Sequence, residues 1–170
     1  MPQNEMVYKE PIKFQELPAE VVRDLDGNHL EARSGEAIRL STVSEDGWPH
    51  VAQLSVGEFL AVSPAELLVI IWPKSHTAEN LRRGGRLTLS LVFNGALLEM
   101  RARATLKAEH QTKLDLAVFH MKIESVSEHR STYADVTTGV TFKLHNREKT
   151  FTRWREQIAA LKLLARQERA

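Results

Sequence analysis

Leu67-Leu68-Val69-Ile70-Ile71-Trp72-Pro73-Lys74-Ser75-His76-Thr77-Ala78-Glu79-Asn80-Leu81-Arg82-Arg83-Gly84-Gly85 is the stretch whose reading decides the fold. Its first six residues form a short apolar run bounded by turn residues, the pattern of a buried strand. The chain turns at Pro73, and Ser75 is placed to cap a helix. Ala78 and Leu81 share one face of that helix, Arg82 and Arg83 fill its last turn, and Gly84-Gly85 stops it. A cation and two hydroxyls therefore gather where a strand gives way to a helix. Two readings stand side by side. Free N–H groups and the positive helix end make a natural phosphate seat, with Lys74 supplying charge and Ser75 and Thr77 donating hydrogen bonds. The same residues also serve as a plain cap, with Lys74 solvated.

Upstream, Ala37 to Val43 alternates in polarity, Asp46-Gly47 gives a turn, and Pro49 to Val56 runs back as the second arm of a hairpin. Downstream, Leu87 to Phe93 is a strand, Asn94-Gly95 a hairpin turn, and Leu97 to Lys107 the return strand. On that return strand Leu98, Met100, Ala102 and Ala104 take one face and Glu99, Arg101, Arg103 and Thr105 the other. Leu116 to Val126 and Gly139 to Leu144 complete the expected strands. Residues 1–33 read as a short helical lead-in, with Pro18 at its start, Val21, Val22 and Leu25 on one face, and Asp26-Gly27-Asn28 at its end. The closing helix, about 150–168, spaces Phe151, Trp154, Ile158, Leu161 and Ala165 at intervals of 3 and 4. Most strands are joined by hairpins, which excludes a doubly wound α/β pattern.

At 170 residues, with 42% hydrophobic and 26% charged, the chain has the composition of one globular domain spanning 1–170. No apolar run approaches the ~20 residues of a spanning helix. The first residues lack the basic start and apolar stretch of a signal peptide, and cysteine is absent, so the cytoplasm is expected. A formal net charge of +1 argues against a general nucleic-acid coat, although the first half is acidic and the second basic. The basic C-terminal helix is expected to pack on the barrel rather than to serve an acidic partner. No G-x-G-x-x-G, P-loop or H-E-x-x-H motif occurs, so no metal site is expected. Gln53-Leu54-Ser55-Val56-Gly57 echoes a nucleophile elbow without its first glycine, and Ser55 is not read as a nucleophile.

Two stretches together, Ala37 to Val51 with its Thr42-x-x-x-Asp46-Gly47-x-Pro49 turn, and Leu67 to Leu91 with Ser75-His76-Thr77 and Asn80-Leu81, resemble the pyridoxamine 5′-phosphate oxidase-like split barrels that bind FMN. The likeness covers roughly residues 18–145. It implies a mainly β fold with flanking helices, a six-stranded antiparallel split β-barrel of Greek-key type. It also implies a homodimer with FMN at its interface. Lys74, Ser75, His76 and Thr77 would hold the phosphate with Asn80 nearby, Gln53, Leu54, Ser55 and Val56 would line the flavin on one strand, and Ile71 and Trp72 on the next. Main-chain N–H groups on those strands could reach flavin O4 and N5. The sequence departs from the oxidase proper at Ala52, where the oxidase has a phosphate-binding arginine, at His76 and Thr77, and in lacking the oxidase's C-terminal substrate residues. The resemblance thus implies flavin-dependent oxidoreduction of a small molecule by way of an electron donor, or, as the alternative, a non-catalytic flavin or anion-binding module. Some split-barrel relatives use a deazaflavin or haem instead. Neither membrane nor nucleic acid is an expected partner.

Overall fold

Eight antiparallel strands and three helices make up the computed structural model, which describes residues 8–109 and 113–167. The strands are β1 (Ile12–Phe14), β2 (Ile38–Val43), β3 (Pro49–Leu54), β4 (Phe59–Ser63), β5 (Glu66–Ile71), β6 (Arg86–Phe93), β7 (Ala96–Glu109) and β8 (Ala117–His129). The helices are α1 (Ala19–Asp24), α2 (His76–Gly84) and α3 (Arg147–Gln167), and a 3-10 turn, Val56–Glu58, separates β3 from β4. The sheet runs in the order β3-β2-β6-β7-β8-β5-β4, with β1 added on β8. Mainly β with flanking helices is therefore the architecture. The strand count is eight rather than the expected six.

The two long strands carry the curvature. β7 and β8 pair along most of their length, and their register slips between Arg101 and Ala102 and between Leu106 and Ala108. Such bulges bend and twist a ladder. Leu98, Met100, Ala102 and Ala104 face the core from β7, as their alternation predicts. Both hairpin turns form where the sequence places them. Asn94 and Gly95 both take positive φ, and at the other turn Gly47 does so while Asp46 Oδ1 accepts from Trp48 N–H.

The differences from expectation lie in weakly patterned segments. The lead-in helix does start after Pro18 and stop at Asp26-Gly27-Asn28 as expected, α1 having six residues before Gly27 turns the chain away, but the residues from there to Arg33 are not helical. β1 and β4 are edge elements with little periodicity of their own, and each forms only because a neighbour offers a ladder. Gly139 to Leu144 is no strand either. Its only ladder contact is one bridge, Glu36 to Thr141.

α3 seats its apolar stripe on the 3-10 turn, β4 and β5. Phe151, Trp154, Ile158 and Leu161 are buried in the same core as the strands. Three of its polar groups reach the 28–34 loop: Arg147 to Ser34, Arg155 to Glu31 and Lys162 to Asn28. The helix starts at Arg147, three residues before its expected start. No described helix is long and apolar enough to cross a membrane.

Candidate functional site

The start of α2 is built from local chemistry. Ser75 Oγ accepts from Ala78 N–H at 3.2 Å and donates to the Trp72 carbonyl at 2.8 Å, so one hydroxyl closes the strand-to-helix turn. Glu79 N–H is taken by the Ser75 carbonyl. An α-helix leaves its first N–H groups without intrahelical partners, and here those of His76 and Thr77 have no partner among the described residues. The helix dipole adds partial positive charge at the same place.

Long-range contacts fix this helix against the β2–β3 hairpin. Asn80 is buried, donates from Nδ2 to Thr42 Oγ1 at 2.9 Å, and accepts from Arg83 at 3.0 Å. Arg83 also donates to the Val43 carbonyl at 2.8 Å. Thr77 is buried, with its hydroxyl 3.2 Å from His50 Nε2. The His50 and His76 rings meet edge-on at 5.9 Å between centroids. Arg82 braces the far side by donating to the Pro73 carbonyl and pairing with Glu109.

Lys74, Ser75, His76, Thr77 and Asn80 thus share one corner. Lys74 and His76 are exposed, Ser75 is half-buried and committed to the cap, and Thr77 and Asn80 face inward to the hairpin. Ile71 is buried at the end of β5, whereas Trp72 stands 66% exposed. A core role for Trp72 is thereby excluded. Gln53 is exposed and Leu54 half-buried on β3, which pairs only with β2 and leaves its other edge without a ladder partner among the described residues.

Ser55 and Val56 need correction. They do not lie on the strand with Gln53 and Leu54, because β3 ends at Leu54. Ser55 begins the 3-10 turn, and its N–H and hydroxyl both donate to Glu58 Oε2, at 2.6 and 2.8 Å. Val56 is buried in the core. Burial pushes the Glu58 carboxyl up from its ordinary range, against the opposing pull of the two Ser55 hydrogen bonds and of Arg153. Gly57 owes its place to Trp154: a Cβ there would fall 2.0 Å from the indole Cγ. The elbow-like pattern is a packing joint.

The chain is 35% identical over 139 residues to the uncharacterized protein YclD of Bacillus subtilis (strain 168), a match spanning 81% of this chain and 90% of that one. Its fold matches the crystal structure of a Lactobacillus delbrueckii protein assigned as a pyridoxamine 5′-phosphate oxidase, with a TM-score of 0.54 and 22% identity, over 69% of this chain and 98% of the other. This chain belongs to the same family as YclD, and its fold is the split barrel of the pyridoxamine 5′-phosphate oxidase-like proteins. The crystal structure of HupZ from Group A Streptococcus also superposes, with a TM-score of 0.51 at 13% identity, over 70% of this chain and 98% of HupZ. No family model matches the sequence.

Within this split barrel the corner gains one residue that sequence reading passed over. His50 lies two positions before Ala52, so both side chains leave β3 on the same face. The alternation of β3 was the available signal. What it could not supply was the pairing of β3 with the start of α2.

Proposed function

We propose that this split barrel binds FMN at the N-terminus of α2, as a homodimer with the flavin at the interface. In this reading it passes electrons between a reduced donor and a small-molecule acceptor, and residues 1–170 act as one FMN-binding unit. The observation that carries the reading is the pair of consecutive amides at His76 and Thr77, left over by a cap that satisfies the rest. Two amides at a helix start suit a phosphate. The donor set fits the group: Lys74 is exposed beside the amides, and His50 and His76 bring two imidazoles to the same corner. Ser75 and Thr77 shape this seat rather than filling it, since both hydroxyls have partners in the fold.

The rest of the surface agrees. Gln53 and Leu54 on the unpaired β3 edge, with Ile71 and Trp72 at the end of β5, would line the ring, and the edge N–H groups would donate to it. Unpaired edges are normally covered. Trp48, 73% exposed, stands with Val43 and Val51 on the same hairpin and offers apolar area for a second copy. Bound FMN would supply hydride or electron transfer. The protein's part is to hold the phosphate, orient the ring and keep water from it.

The test is the absorbance spectrum of the protein as purified, with mass identification of whatever heat releases. Flavin bands and the mass of FMN support the reading. A colourless protein that ignores added FMN ends it. Stopped-flow reduction by NADH or NADPH then separates turnover from binding alone.

A further inference from the structure

Away from the α2 corner, residues 130–146 cross from β8 to α3 as an exposed strap pinned at both ends. Arg130 donates to the Asn94 carbonyl at 2.5 Å, and Val136 N–H donates to the Gly95 carbonyl at 2.9 Å. Farther on, Ala37 N–H donates to the Val140 carbonyl at 3.0 Å, and Phe142 N–H to the Gly35 carbonyl at 2.9 Å. Between the pins the backbone lies close on β6, where a Cβ at Gly139 would stand 3.1 Å from Val92.

Beneath residues 137–141 is a cavity of about 190 Å³. Val21, Leu25, Ile38 and Val56, all buried, form its floor. Its mouth holds three charges. Arg33 donates from one terminal nitrogen to both oxygens of Glu36, at 2.9 and 3.0 Å, and from the other to Asp24 Oδ2. Two carboxylates against one guanidinium leave a net charge of −1. Asp24 Oδ1 accepts no hydrogen bond from any described residue, and the Asp24 side chain is the least exposed of the three. An apolar cavity of about 150 Å³ accepts one benzene ring. This one therefore has room for a ring and a short polar arm, with a surplus carboxylate oxygen at its mouth.

We propose that the cavity beneath the 137–141 strap is a binding site for a small organic cation, a protonated amine carried on a single ring or a branched chain of that size. The apolar body displaces poorly held water from the floor, and the ammonium donates to Asp24 Oδ1. An anion would have to take Arg33 from both carboxylates and strand them. The site is separate from the α2 corner, which shares none of its lining.

The experiment is a titration of the isotope-labelled protein with benzylamine, benzyl alcohol and benzoate, followed by amide chemical shifts. Benzylamine is expected to shift the amides of 137–141 and of Val21 to Leu25, with benzyl alcohol weaker and benzoate inert. Asp24→Asn should weaken benzylamine about tenfold, the worth of one charge-assisted hydrogen bond. Should that variant misfold, Glu36→Gln at the exposed rim removes the charge surplus and should also weaken benzylamine. Saturating FMN should leave the amine bound. Benzoate binding as well as the amine, shifts confined elsewhere, an amine indifferent to both variants, or displacement of the amine by FMN would each overturn the assignment. A protein that binds benzylamine but not FMN would sink the flavin reading and leave this one standing.

Discussion

Ser55 and Ser75 stand at two junctions of the same local design, each a serine that ends a strand and opens a helical turn, and the two end up as opposites. At Ser55 the third residue on is Glu58, whose carboxylate takes both the N–H and the hydroxyl of the serine. Trp154, 1% exposed, then seals the joint over Gly57. At Ser75 the third residue on is Ala78, which can only donate its N–H to the serine. Nothing acidic folds back over that cap: Glu79 leans toward His76 instead, at 3.5 Å. The lesson is that a serine cap does not distinguish a joint from an anion seat. The residue at the third position does, by spending the positive helix end or leaving it to a ligand.

The closed junction should break hardest. Gly57→Ala drives a methyl into the buried indole and is expected to cost about 3 kcal/mol, roughly 10 °C in a melting midpoint for a chain of this size. A melt indistinguishable from the parent would mean that α3 does not press on this turn. The two serines should then differ. Ser55→Ala removes a hydroxyl partner of a buried carboxylate and should cost about 2 kcal/mol, against about 1 kcal/mol for the cap lost in Ser75→Ala. Equal losses by denaturant unfolding would erase the contrast.

At the open junction the effect falls on binding. Lys74→Glu reverses an exposed charge, so its melt should match the parent while FMN affinity drops about tenfold or more. Fluorescence titration reads this directly, and unchanged affinity would remove Lys74 from the seat.

The smallest effect is a pH slope. Burial raises the folded-state pKa of Glu58 above its ordinary value of 4.5. The stability tied to the neutral acid is therefore fully present below the unfolded pKa and is lost as pH rises through the folded one. Glu58→Gln should gain on the parent as pH rises above the ordinary carboxyl value in paired melts. A constant difference across that rise would show the carboxyl to be unperturbed.

Much of this contrast was already written in the sequence, though not all of it was legible. The hairpins at Asp46-Gly47 and Asn94-Gly95, the β5 run, and α2 with its cap and stop are local signals, and local signals survive into the fold. So does the stripe from Phe151 to Leu161. Ser55-Val56-Gly57-Glu58 spells a capping box, yet the alternation of β3 running into it reads equally well as more strand. β1 and β4 exist through pairing with β8 and β5, which no local pattern states. His50 and Thr42 reach the α2 corner, and Arg83 reaches back to the β2–β3 hairpin, for the same reason: hydrogen bonds 27 to 40 residues apart place them there. The strap follows likewise from contacts with Gly35 to Ala37 rather than from its own sequence.

The most direct measurement compares FMN with riboflavin, which carries the same ring without the phosphate, by titration of flavin-free protein. If the amides of His76 and Thr77 hold a phosphate, FMN should bind about a hundredfold tighter or better. Equal affinity for the two would contradict the account, because the open end of α2 would then be holding nothing.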